Sequence, residues 1–169
     1  MKPSTLSIMA LVALLFIGLV APLAVAIAGP LANATVSFGQ WQTAPPLDRF
    51  LLGSPPPRNE HQLLPNEVKI KAGGAVNFII SGFHQPIVYD AGTQPEDIDE
   101  TMTIPIPPVP VPLIDDPDDR IYRGLDPRPL PQDRVEVVYF STPGIYLVIC
   151  GVQPHFVNDG MFGFVRVLP

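Results

Sequence analysis

Three kinds of metal-binding side chain follow one another near the carboxyl end of this chain. The only cysteine, Cys150, is separated from His155 by four residues, and His155 is separated from Met161 by five. Another histidine, His84, lies far upstream in a second strand-like run. Two imidazoles, a thiolate and a weakly held thioether are the ligand set of a mononuclear blue-copper electron-transfer site. His84, Cys150, His155 and Met161 are therefore candidate ligands of such a site.

Each residue also has an ordinary structural explanation. A lone cysteine is often a small buried hydrophobe, and His84 and Met161 each fit a place in the core or in a turn. Together these explanations are weaker, because the chain has only three histidines and two of them fit the site. The third, His61, lies among polar residues and is predicted to be a solvated surface imidazole.

The amino terminus predicts export. Lys2 precedes an apolar run over residues 6–28, and no charge follows until Asp48, as in a secretory signal. Sites of the small-x-small type end at residues 28 and 34, and we place the boundary at 34. An uncleaved membrane anchor is the alternative, since about twenty apolar residues can span a bilayer. Residues 35–169 are then a single periplasmic or extracellular domain, in which a free thiol needs burial or coordination.

Composition limits the other functions. A net charge of −6 without a basic cluster argues against nucleic acid and anionic membrane surfaces as partners. Three histidines are too few for a trinuclear copper cluster or an additional catalytic zinc. No Ser-His-Asp pattern, phosphate-binding glycine loop or pair of acid/base carboxylates stands out in the sequence. An electron carrier is therefore favoured over an enzyme.

The elements that must position these residues are short strands. Alternating or continuous apolar runs predict strands near 34–41, 68–71, 75–80, 85–89, 135–140, 145–150 and 162–168, with a turn at 72–74. Without an internal repeat or a convincing amphipathic helix, they predict an all-β fold, a β-sandwich.

A long insertion interrupts the strands at about residues 91–134. It is acidic and holds the proline-rich run 104–112, which excludes a helix or a central strand. We expect a surface loop with a short helix near 94–100. It would steer a basic partner, hold a neighbouring subunit, or be a tolerated loop without either role.

Three segments resemble the cupredoxin (plastocyanin/azurin-like) family. Residues 143–150 resemble its Pro-Gly turn and penultimate strand, 160–165 its Gly-Met-x-Gly-x-Val strand, and 67–89 the strand pair before the first ligand histidine. The resemblance implies a Greek-key β-sandwich in which His84, Cys150, His155 and the axial Met161 bind copper. Gln85 stands where many members have an asparagine that ties the ligand loops together. Asn77 and Asn158 could replace it, although each also has an ordinary explanation as a polar residue of a turn or a sheet edge.

The same resemblance implies a function. A single-electron carrier would exchange electrons transiently with redox protein partners, through the ring edge of His155 and its apolar neighbours. Two alternatives remain at this point: a copper-delivery or storage protein with the same ligands, and a metal-free interaction subunit that uses the proline-rich insertion.

Overall fold

The computed structural model describes residues 31–39, 61–106, 109–128 and 133–169. Most of the expected export segment and Trp41 lie outside these ranges. Within the described part, no helix is long and apolar enough to cross a bilayer. The elements there are β1 (Leu31–Phe38), β2 (Leu63–Leu64), β3 (Glu67–Ile80), β4 (Pro86–Ala91), a 3₁₀ turn (Pro95–Asp97), β5 (Thr103–Ile106), β6 (Val109–Ile114), β7 (Arg120–Arg123), β8 (Arg134–Phe140), β9 (Gly144–Cys150), α1 (Gln153–Val157) and β10 (Phe162–Leu168).

Strand β3 belongs to both layers of a sandwich. Its first half, 67–71, pairs in parallel with β10, and β9, β4 and β7 follow β10 in that layer. Its second half, 74–80, pairs with β8 and β1, and β2 lies beyond β1. The two layers enclose the main core, and the predicted all-β sandwich is confirmed. Residue 34 lies within β1, and the cleavage boundary placed there stays a prediction.

The turn predicted at residues 72–74 is instead a bend inside β3. Gly73 has a φ of +83°, which residues with a side chain rarely adopt. At Gly74, a Cβ atom would lie 1.9 Å from the carbonyl oxygen of Ala32 in β1. The two glycines let one strand change layers without ending, so the two predicted strands form a single one.

Strand β9 is buried on both faces and carries the cysteine. Tyr146, Val148 and Cys150 face the main core between the layers. Leu147 and Ile149 face a second apolar cluster on the outer side of the layer. All five are at most 4% exposed, and such a continuous apolar run is typical of a strand covered on both sides. Alternation along β9 thus places the thiol inside the main core.

The insertion provides the cover for that outer face. Ile98 and Ile114 are buried against Leu147 and Ile149, β5 pairs with β6, and β7 pairs with β4 at the edge of the sheet. The prediction of a surface loop is therefore wrong for the segments around Ile98 and Ile114, because their apolar residues complete the second apolar cluster. Pro105, Pro110 and Pro112 lie in β5 and β6, which form a two-stranded sheet, so each is in an edge strand, where a missing N–H is tolerated. The helix predicted near 94–100 is the 3₁₀ turn Pro95–Asp97.

Candidate metal centre

The predicted ligands come from four segments. His84 lies in the loop between β3 and β4, and Cys150 is the last residue of β9. His155 lies in α1, a helix of five residues, and Met161 directly precedes β10. Helix α1 is a detail that the sequence pattern did not predict, because five residues are too few to show a helical period.

The three donors of His84, Cys150 and His155 converge on one point. Their Nδ1, Sγ and Nδ1 atoms lie within 4.8 Å of one another. Cys150 Sγ is 3.5 Å from His84 Nδ1 and 3.6 Å from His155 Nδ1, and the two nitrogens are 3.1 Å apart. A metal bonded at about 2.0 Å to each nitrogen and about 2.3 Å to sulfur fits between them. The donor set therefore suits a metal that accepts imidazole and thiolate together.

The surroundings keep both imidazoles neutral. His84 is fully buried, and burial, followed by the neighbouring His155 and His61, lowers its pKa well below the usual value. Burial also lowers the pKa of His155 to about 4, with His61 adding to the effect and Asp159 opposing it. Metal binding needs unprotonated imidazole, so at neutral pH both rings are ready to coordinate.

The thiol of Cys150 is held in its protonated form until a metal binds. Complete burial raises its pKa to about 12. Backbone amides of Gln85 and Val152 hydrogen bond to the sulfur and act in the opposite direction, since they stabilise a thiolate. The site therefore releases a proton when the sulfur becomes a ligand.

Met161 is placed by its backbone. Its amide donates to the carbonyl of His155 at 2.9 Å, and its carbonyl accepts from the amide of Cys150 at 3.0 Å. The side chain is 1% exposed and belongs to the same core cluster as Cys150. Met161 is thus buried beside two of the converging ligands, and its role as an axial thioether stays a prediction.

Gln85 itself connects the ligand loops. Its carbonyl accepts from the amide of Gly151 at 2.6 Å, and its side-chain Nε2 donates to the carbonyl of Gly124 at 2.7 Å. Asn77 lies on the face of β3 opposite the core residues beside it, and Asn158 is exposed. The hypothesis that Asn77 or Asn158 joins the ligand loops is therefore wrong, because the backbone of Gln85 makes that link to Gly151.

A buried ion pair supports the loop that carries His84. Arg134 in β8 donates from Nε to Glu136 at 2.7 Å and from Nη2 to the carbonyl of His84 at 2.9 Å. The carboxylate of Glu136 also accepts from the hydroxyl of Tyr122 in β7 at 2.5 Å and from the amide of Leu125 at 3.2 Å. Glu136 and Arg134 together thus tie the insertion and β8 to the backbone of the loop that carries His84.

His61 lies at the site, and the prediction of a solvated surface imidazole is wrong. Its ring stacks on that of His155 with centroids 3.6 Å apart and an interplanar angle of 28°. Its Nδ1 lies 2.5 Å from Oδ2 of Asp159. The sequence around His61 is polar and has no period. The small number of histidines in this chain was the only feature of the sequence that could have associated His61 with the site.

Comparison with known proteins gives a likeness of fold. No family model matches the sequence, and no curated protein matches it. Dithionite-reduced auracyanin from the photosynthetic bacterium Roseiflexus castenholzii has a TM-score of 0.52 at 17% identity, over 83% of this chain and 100% of that one. Oxidised plastocyanin from Dryopteris crassirhizoma gives 0.42 at 18%, over 79% and 99%. Pseudoazurin from Hyphomicrobium denitrificans gives 0.40 at 17%, over 80% and 74%.

Proposed function

We propose that this protein, whose fold is that of the cupredoxins, binds one copper ion and carries single electrons outside the cytoplasm. One observation carries the proposal: the buried donor atoms of His84, Cys150 and His155 converge with separations of 3.1–3.6 Å. Two imidazoles and one thiolate at such a point are the trigonal set of a blue-copper centre. Copper would supply the one-electron Cu(I)/Cu(II) couple.

The chain's contribution is to hold these donors still. The ligand segments are joined by three backbone hydrogen bonds of 2.6–3.0 Å, from Gly151 to Gln85, from Cys150 to Met161 and from Met161 to His155. Ligands fixed in this way move little when the charge at the site changes, which favours fast electron transfer. We assign Met161 as the weak axial ligand, since it is buried next to Cys150 and a long axial thioether tunes the potential of such sites.

Burial of the donors supports a carrier over an enzyme. His84 and Cys150 are both 0% exposed, so a substrate would have to displace packed side chains to reach the bound metal. Electron transfer needs no such access to the metal. His155 is only partly buried, and its ring provides the route by which electrons reach a partner. Docking of a redox protein there would be brief and would bury little area, as is typical of redox encounters.

Copper loading of the purified domain tests the proposal. We expect an intense visible absorption from the bond between copper and the Cys150 thiolate, and its loss in Cys150→Ser. Circular dichroism of the metal-free variant checks that serine leaves the fold intact. Binding of copper without the visible band, or a band that persists in Cys150→Ser, would contradict the proposed site.

A further inference from the structure

The ring of His61 covers the ring of His155. The two are nearly parallel, with centroids 3.6 Å apart, and His61 also meets His84 edge-on, with centroids 5.6 Å apart. The side chain of His61 is 23% exposed, whereas His84 and Cys150 are both 0% exposed. His61 therefore lies between the converging ligands and solvent.

The position of His61 is fixed from the ligand loop itself. Its Nδ1 pairs at 2.5 Å with Oδ2 of Asp159, whose side chain is 45% exposed. Asp159 lies between His155 and Met161 in the sequence, just after α1. His61 thus contacts the ligand segment at two residues. It pairs with Asp159 and stacks on His155.

Helix α1 needs such support. It has five residues, and a helix of this length is not stable without tertiary contacts. Its core contact is Phe156, which is buried, whereas the neighbouring His155 points to the ligand cluster. A flat ring stacked on His155 limits the rotation of that side chain, because aromatic pairs favour a defined separation and orientation.

We propose that His61 is a positioning residue that, with Asp159, clamps the ring of His155 by covering one face of it. The proposal rests on the copper function proposed above. Release of copper requires the bond to His155 to break and its imidazole to turn away, and the His61 ring stacked at 3.6 Å opposes that rotation. The clamp therefore slows release of the metal without itself being a ligand.

The first experiment uses the metal-free protein, so its result does not depend on copper. Ring protons of His155 should be shifted upfield in the NMR spectrum by the stacked ring of His61. We expect this shift to disappear in His61→Ala and to persist in His61→Phe, which keeps an aromatic ring but loses the pair with Asp159. Resonances of His155 that are the same in His61→Ala and the unmodified protein would overturn the clamp.

The second experiment follows the transfer of Cu(I) from loaded protein to bicinchoninate. Release from His61→Ala should be about tenfold faster, the size expected for loss of an aromatic pair. His61→Phe and Asp159→Asn both keep a ring over His155 but weaken its anchor, so their release rates should lie between those of the unmodified protein and His61→Ala. A matched control is Tyr139→Ala, which removes a 75% exposed ring in β8 and should change neither measurement.

The outcomes separate the two proposals. If the protein shows the NMR shift but binds no copper, the copper function is contradicted and the stacked pair is confirmed. If copper binds but leaves His61→Ala and the unmodified protein at equal rates, only the clamp is contradicted. If Asp159→Asn behaves as the unmodified protein does, the carboxylate is not the anchor.

Discussion

At the scale of single residues, Met161 is the side chain on which the properties of the site depend most. It is buried in the same core cluster as Cys150, and backbone hydrogen bonds join it to Cys150 and His155.

Met161 gives the prediction that belongs to single residues. Met161→Gln replaces a buried thioether, 1% exposed, by an amide of similar size. The amide oxygen is a harder ligand and favours Cu(II), so we expect a lower reduction potential with the visible band retained. Voltammetry and absorption spectra measure both quantities.

The metal-free form of the same variant should lose about 2 kcal/mol of unfolding free energy, because a polar group is buried without an assured partner. Met102→Gln is the matched control, since Met102 is 44% exposed and should change neither the potential nor the stability. An unchanged potential in Met161→Gln would show that Met161 is not an axial ligand.

Other residues of the site differ in how far the sequence could predict them. Cys150 and His155 are close in sequence, and His84 follows a strand, so residue type and spacing were enough to bring these three together. His61 and Arg134 approach the site only through the tertiary fold. Their neighbours in sequence are polar or belong to an ordinary strand, so no local pattern marked either residue.

At the scale of elements, alternation predicted where strands lie but not how they connect the layers. The runs around β8, β9 and β10 were predicted within a residue or two, because each has a buried face. The bend of β3 depends on Gly74 approaching the Ala32 carbonyl, and a close contact of that kind has no local signature. The buried part of the insertion was missed because its prolines indicated only extended backbone.

The pair of Arg134 and Glu136 gives the prediction for the elements. Glu136→Ala leaves a buried guanidinium, with a side chain 10% exposed, without its carboxylate. Removing one member of a buried pair costs about 3 kcal/mol or more. We expect that loss in urea unfolding of the metal-free protein, together with weaker copper binding, because Arg134 also holds the carbonyl of His84.

The control for this prediction is an exposed pair. Arg166 Nε donates to the carboxylate of Glu67 at 3.4 Å, and the side chains of Glu67 and Arg166 are 41% and 39% exposed. Glu67→Gln should change the unfolding free energy by less than about 1 kcal/mol. Equal losses in Glu136→Ala and Glu67→Gln would show that the buried pair does not hold the insertion and the ligand loop together.

At the scale of the whole molecule, the acidic residues are not spread evenly around the site. Asp90, Asp118 and Asp119 gather where β4 ends, and the amide of Asp90 donates to the carbonyl of Asp119 at 2.7 Å. Strand β4 begins at Pro86, just after His84, and a strand rises about 3.3 Å per residue. This cluster is therefore roughly 13 Å or more from the ligand loop, beyond the screening length of about 10 Å at 0.1 M salt.

Position rather than number of charges should then decide whether the insertion steers a partner. Deleting residues 94–130 would remove β7 and part of the second core, so charge substitutions give the cleaner test. In Asp118→Asn/Asp119→Asn, the rate of oxidation by a small cationic complex at 0.1 M salt should stay within about twofold, whereas steering changes rates tenfold or more.

Glu100→Gln is the contrasting variant, because the backbone carbonyl of Glu100 accepts from the side chain of Gln153 in α1 at 2.9 Å, beside His155. It should slow the same reaction at low salt, and a larger effect from the distant aspartates would mean that the insertion steers partners from the far end of β4.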